Sequence, residues 1–314
     1  MGLFPRATET FELGLPVGPD SNVYYVDPVN GDDDYKGTSP KKPMLTITAA
    51  YAACTDGQND VVALLGNASS ITLSAALVWA KSYTHLVGMC APTNVGQRSR
   101  IFQLSTLTAA SPLLSITGSG CIFKNFYIFQ GVDDNTSLVN VQVSGGRNYF
   151  ENVHFAGGGH ATQAIDGGCS LKLAGAEECK FVGCTIGVDT IAAATGMAGM
   201  ILDTGAIRNT FERCNFTMLA GHAAAKFIEV ADATGVLRYL ILRDCLFINI
   251  GATAMTSAFT IPTGVGSTVR ILAKGCSVLN AADWESDNRG ILYLDSGTIT
   301  AGGNAGLMAV SAST

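Results

Sequence analysis

Phe150-Glu151-Asn152-Val153-His154-Phe155 is the stretch that decides the fold, because it recurs. Phe123-Lys124-Asn125-Phe126-Tyr127-Ile128 precedes it. Phe181-Val182-Gly183-Cys184-Thr185-Ile186, Phe211-Glu212-Arg213-Cys214-Asn215-Phe216 and Leu242-Arg243-Asp244-Cys245-Leu246-Phe247 follow, and Ala273-Lys274-Gly275-Cys276-Ser277-Val278 is a weaker copy. The copies start at 123, 150, 181, 211, 242 and 273, so the steps are 27, 31, 30, 31 and 31. A period near thirty means stacked units, none of which can bury its apolar face alone. The first, fourth and sixth positions are apolar or Cys, and the last three alternate inward, outward, inward as a short strand does.

A second strand precedes each copy: Leu114-Ser115-Ile116, Val139 to Val143, Leu171-Lys172-Leu173, Met200-Ile201-Leu202, Phe227 to Val230 and Phe259-Thr260-Ile261. Gly, Ser and Asn fill many of the gaps, and each suits a turn. Two or three short strands and tight turns in each unit predict one coil of a parallel β-helix, with equivalent positions about 4.8 Å apart. A leucine-rich repeat lacks its Leu-x-x-Leu-x-Leu pattern here, and a helical solenoid lacks a sustained 3.6 period. The expected class is an all-β, right-handed parallel β-helix with an N-terminal arm and a short capping helix.

The chain has 314 residues, 14% of them charged, a net charge of −6 and 36 glycines. A solenoid of this length can bury a large core as one elongated domain. No uninterrupted apolar run reaches 18 residues, so no membrane span is expected. No leader pattern is read at Met1, and the absence of a Lys/Arg cluster argues against a nucleic-acid partner. Of nine cysteines, Cys184, Cys214, Cys245 and Cys276 share one repeat position. They read as a ladder of small buried hydrophobes with free thiols, in a chain assembled in a reducing cytosol.

Residues 1–21, carrying Phe4, Phe11, Leu13 and Leu15, read as an extended arm. Residues 22–67 read as a cap and first coil, with a helix from Thr46 to Cys54 that turns Ile47, Ala50 and Tyr51 inward. Residues 68–298 carry the coils, with one or two irregular ones before Ser111, and residues 299–314 form a tail. Within the cap, Tyr25-Val26-Asp27, Asn30-Gly31-Asp32, Gly37-Thr38-Ser39-Pro40, Pro43, Thr46-Ile47, Ala50 and Asp60-Val61-Val62 resemble the opening of pectate-lyase-like right-handed β-helix proteins. Bacterial polysaccharide-active proteins and phage virion proteins share that opening. The resemblance covers about forty residues and implies the fold more strongly than any function.

Enzymes of that class use acidic residues, often with calcium, and a basic residue as general base. Their hydrolase relatives use paired carboxylates. The best candidate set follows the organising strand in successive coils: Asp133, Asp134, His160, Asp189 and His222. Asn-Thr-Asp, Gly-His-Gly and Arg-Ile-Lys motifs are missing, and no Lys or Arg occupies an equivalent loop position. Turn residues on a solvated face are the competing reading. Asp27, Asn30, Asp32, Asp33 and Asp34 could offer oxygen ligands to calcium, but Asp and Asn also build ordinary turns. No cofactor is expected. His85 has no evident partner, and His154 occupies an outward position and reads as plain surface.

Apolar segments stand where polar loops are expected: Ile191 to Met200, including Met197; Leu219 to Ala225, including Ala224; and Gly251 to Met255. They predict either an exposed stripe for protein–protein contact or segments packed on their own coils. The stripe reading leads to a homotrimer of parallel rods. The expected function is a structural virion protein of a bacteriophage, a capsid decoration or cement protein on the capsid surface. Its arm and the interface residues Phe4, Phe11, Leu13, Ile191, Met197, Met200, Ala224 and Met255 would hold it to the major capsid protein, another virion protein or itself. The alternative is a polysaccharide lyase or glycoside hydrolase, a tailspike-like depolymerase. A module that binds surface glycans without cleaving them is a third reading.

Overall fold

The computed structural model describes residues 20–262 and 270–286, and the backbone of 291–294. They form a right-handed parallel β-helix of about seven turns. Three parallel sheets of ten, nine and seven strands run along it. One coil illustrates the path. Ile122–Lys124 lies in the first sheet, Tyr127–Phe129 in the second and Val139–Val143 in the third, before the chain re-enters the first sheet at Tyr149–Glu151.

The six-residue repeat spans the first two sheets and the bend between them. Its third residue has positive φ in every copy: Asn125 61°, Asn152 50°, Gly183 57°, Arg213 52°, Asp244 53° and Gly275 64°. That left-handed residue turns the chain from one sheet into the next. Asn, Asp and Gly adopt it at little cost, and Arg213 does not. The inward positions are buried as the alternation predicts, and register carries like residues onto like. Phe150 pairs with Phe123 and Phe181, and Phe181 pairs with Phe211. Their rings stack at centroid spacings of 4.9, 4.4 and 4.2 Å.

The cysteine ladder is buried and all nine thiols are free. Cys214, Cys245 and Cys276 each donate to a backbone carbonyl of the preceding coil, those of Phe181, Phe211 and Leu242, at 3.6 Å. Burial pushes the Cys169 thiol up to about 12 and the Cys214 thiol well above its usual value. These groups are packed apolar fillers rather than nucleophiles.

The helix Ile47–Ala53 closes the N-terminal end, with Thr46 as N-cap accepting from Ala49 N–H. Ile47, Ala50 and Tyr51 face inward as predicted, and the Tyr51 ring packs at a 30° tilt against Trp79, with centroids 4.2 Å apart. The early coils are more regular than the sequence suggests, for Ile71–Leu73, Leu77–Trp79, His85–Met89 and Arg100–Gln103 already occupy the three sheets. Ile291–Leu294 pairs with Ile271–Lys274 as a last strand of the first sheet. Most of the arm, including Phe4, Phe11 and Leu13, lies outside the described residues, as does the whole of the tail, residues 299–314.

The apolar loop segments require a correction. Met197, Met200 and Met255 are buried in the protein's own core, and Ile191 packs against it half-buried. The segments extend the solenoid rather than decorate it: Ala192 pairs with Leu219, Ala193 with Ala220, and Met255 with Ala281. Of the large side chains expected in an exposed stripe, none is fully open, whereas Ala224 is exposed.

Candidate functional site

The connections from the second sheet to the third carry the predicted polar residues. Two glycines set their shape. A Cβ on Gly131 or Gly159 would come within 2.4 Å of the Phe129 ring, so the two loops lie flat on that ring only as glycine. Gly159 N–H donates to Gln130 O, and Val132 N–H donates to Gln163 Oε1, which fixes one loop on the next. Asp133 and His160 follow directly, and their Oδ1 and Nδ1 atoms stand 3.7 Å apart. The pair is open to water, with 79% of the Asp133 side chain and 42% of that of His160 exposed.

The other candidates do not join them. Asp134 accepts from Thr136 N–H and Oγ1, Ser137 Oγ and Ala109 N–H. The Ser137 hydroxyl, with those other donors, holds its carboxyl below the usual range. It is a turn-building carboxylate. His222 Nδ1 accepts from Ala224 N–H, two residues on, and is spent in the same way. His160 repeats that turn through Thr162, whose Oγ1 is 2.8 Å from His160 Nδ1. Asp189 is exposed and lies toward His154 and Tyr127, whose titration it influences. No ion pair links Asp133 or His160 to a Lys or Arg among the described residues. Two lysines of the third sheet are engaged with their own partners: Lys172 with Asp203 at 2.7 Å, and Lys226 with Glu229 at 2.8 Å. On the first sheet, Lys124 bridges to Glu151, and Lys180 and Arg243 bridge to Glu212.

The acidic cap residues are likewise occupied. Asp27 accepts from Val29 N–H, Asn30 N–H, Asn30 Nδ2 and Asn67 Nδ2. Those hydrogen bonds outweigh burial, the largest single influence, and hold its carboxyl below its ordinary value. Asp33 accepts from Leu45 N–H, Thr46 N–H and Thr46 Oγ1, and Asp32 accepts from Asp34 N–H. Among the described residues no three His, Cys, Asp or Glu side chains are placed to share a metal.

Two features escaped the sequence. One is a shallow cleft of 510 Å³ lined by Gly66, Asn67, Ala68, Met89, Cys90 and Arg98. The other is residues 91–97, within an insertion in the bend between the first two sheets, which lie across the outer face of the second sheet. In the six copies of the repeat that bend is two residues long, and in the first coil it is five, so the extra length was the available signal. His154 lies beneath the insertion and is only 4% exposed, which corrects its reading as surface. His85 is buried as well. Its Nδ1 accepts from Ile122 N–H, and its Nε2 lies 3.3 Å from Asn59 Oδ1.

No protein-family model matches the sequence, and no curated protein matches it. Solved structures do match in fold. A pectate lyase, Pel9A, is 14% identical with a TM-score of 0.65, over 90% of this chain and 70% of that one. A rhamnogalacturonan lyase is 14% identical with a TM-score of 0.58, over 88% of this chain and 73% of that one. The ORF18 protein of Geobacillus virus E2 is 12% identical with a TM-score of 0.50, over 94% of this chain and 63% of that one. The fold class is therefore the right-handed parallel β-helix that these structures share. At these identities the likeness extends to the fold and no further.

Proposed function

We propose that this chain is a structural protein of a bacteriophage particle, a capsid decoration or cement protein, assembled in the host cytoplasm. One observation carries the reading: the polar residues that could have formed a catalytic set are divided among their own turns. Asp134 and His222 are occupied locally, and Asp133 with His160 forms an isolated, solvated pair. Glycosidic bond cleavage needs a positioned acid or base of suited pKa held against the substrate. The fold likeness to ORF18 of Geobacillus virus E2 is consistent with a phage source. The arm would contact the major capsid protein or another virion protein. The homotrimer remains part of the proposal, although its apolar motive is reduced to small exposed residues such as Ala192, Ala194 and Ala224.

The test is binding of the purified chain to phage shells lacking it, followed by sedimentation and by scattering mass of the free protein. Saturable occupancy, lost when residues 1–21 are deleted, is the expected result. A free mass near 32.6 kDa would remove the trimer. A glycan-degrading reading has its own support in the Asp133–His160 pair at 3.7 Å. Release of new sugar ends from polygalacturonate or alginate, abolished in Asp133→Asn or His160→Ala, would replace the structural reading with that one.

A further inference from the structure

Residues 91–97 form a strap. The chain leaves the first sheet at Met89 and reaches the second at Arg100, and between them it reaches outward to the second and third coils beyond its own. Three polar attachments hold it there. Asn94 O accepts from Thr185 Oγ1 at 2.7 Å. Gly96 N–H donates to His154 Nδ1 at 3.2 Å. Gln97 Nε2 donates to Asn152 O at 2.9 Å and approaches Asn152 Oδ1 at 3.2 Å. Ala91 to Gly96 are all exposed, so the strap buries no apolar side chain of its own. Only Gln97 at its end is buried, and a segment held mainly by hydrogen bonds sits at the low end of local stability.

His154 is the attachment whose chemistry can change. Its Nε2 lies 2.9 Å from Gly187 O, an acceptor only, so Nε2 must carry the proton. Nδ1 is then the bare nitrogen that receives Gly96 N–H. Protonation would place a second N–H against that of Gly96 and turn the attachment into a clash. The surroundings offer the cation little. The Tyr127 ring packs at 4.8 Å on one side, and the Thr185 hydroxyl is already directed to Asn94. Arg98 and Arg100 follow the strap, and Asp189 acts on the ring from the next loop. Burial, against the smaller opposing effects of Gly187 O and Asp189, pulls the His154 imidazole down to about 4.

We propose that His154 is an acid-released latch: neutral, it fastens the 91–97 strap over the second sheet, and protonated, it lets the strap lift and uncovers Tyr127, His154 and Thr185. The open state titrates near the ordinary histidine value of about 6.5 and the closed state lower. The closed state therefore dominates above that value and loses ground as pH falls. The shift in the closed-to-open ratio from pH 7 to pH 4 is on the order of a hundredfold.

Amide hydrogen exchange of the full chain tests this at pH 7 and pH 4, corrected for intrinsic rates. The strap and the His154 region should lose protection by roughly that factor, while the stacked strands of the first sheet keep theirs. His154→Gln, which keeps one acceptor and one donor without titrating, should show no such loss. His85 also titrates in acid, so His85→Gln serves as control and should retain the strap response. Equal loss in His154→Gln, or no loss in the parent protein, overturns the latch. Should His154→Gln not fold, imidazole NMR of the parent protein decides. An Nε2–H tautomer titrating well below 6 supports the latch, and an ordinary titration overturns it.

Discussion

Phe181 and Phe211 stack with ring centroids 4.2 Å apart and planes within 2° of each other. The spacing is tighter than the strand separation of about 4.8 Å, so the two rings approach each other more closely than their backbones do. This contact is one rung of a ladder from Phe123 to Phe211 that forms the middle of the core.

Phe181 has a ring on each face, so its loss leaves a cavity that neither neighbour can fill without breaking register. Phe181→Ala should destabilise the protein by about 3–5 kcal/mol. A urea denaturation midpoint compared with the parent protein checks this. A loss below about 1 kcal/mol would mean that the stack collapses freely.

Arg213 is the misfit among the bends. It holds φ 52°, where the equivalent residues are Asn, Asp or Gly, and its side chain is exposed. Arg213→Asn should stabilise the fold by roughly 0.5–1 kcal/mol by relieving the left-handed penalty. Its backbone bond to Arg243 O needs only the N–H and is retained. The same denaturation series measures it, and a destabilised variant would contradict the reading.

Eight of the nine cysteines are buried, and Cys90 is intermediate. A water-soluble thiol reagent should therefore modify the native protein at Cys90 first, the other eight following only on unfolding. Cys214→Asp should cost roughly 3 kcal/mol or more, because its carboxylate would enter the apolar stack unpaired. Mass spectrometry of labelled peptides reads the first outcome and thermal melting the second.

His85 gives a prediction about pH. Burial, opposed in part by Asp60, draws its imidazole down to about 4 from 6.5. A base whose folded pKa is lowered contributes stability that is complete above 6.5 and is lost as pH falls toward 4. The full loss is roughly 2–4 kcal/mol. Urea midpoints should decline across that window, and His85→Gln should flatten part of the decline. His154 titrates over the same window and accounts for a further part.

The sequence by itself determined the period, a coil of two or three short strands and the inward set, and the structure settled the number of sheets at three. Alternation within Phe150 to Phe155 fixes which side chains point in, and repetition fixes what they meet. The buried cysteine ladder and the capping helix were legible for the same reason, since both follow from local pattern. The tertiary structure alone decided what covers the residues that point out. His154 points outward by alternation, yet a strap attached 58 residues earlier buries it. Met197, Met200 and Met255 looked like surface because their segments break the strand pattern, but those segments stack on one another and join the core. Asp133 and His160 were predicted on one side and do meet, whereas the donors that occupy Asp134 and His222 depend on loop geometry that residue spacing does not encode. Periodicity specifies the direction of a side chain. Its neighbours are set by non-local chain crossings, and these decide burial, hydrogen bonding and charge.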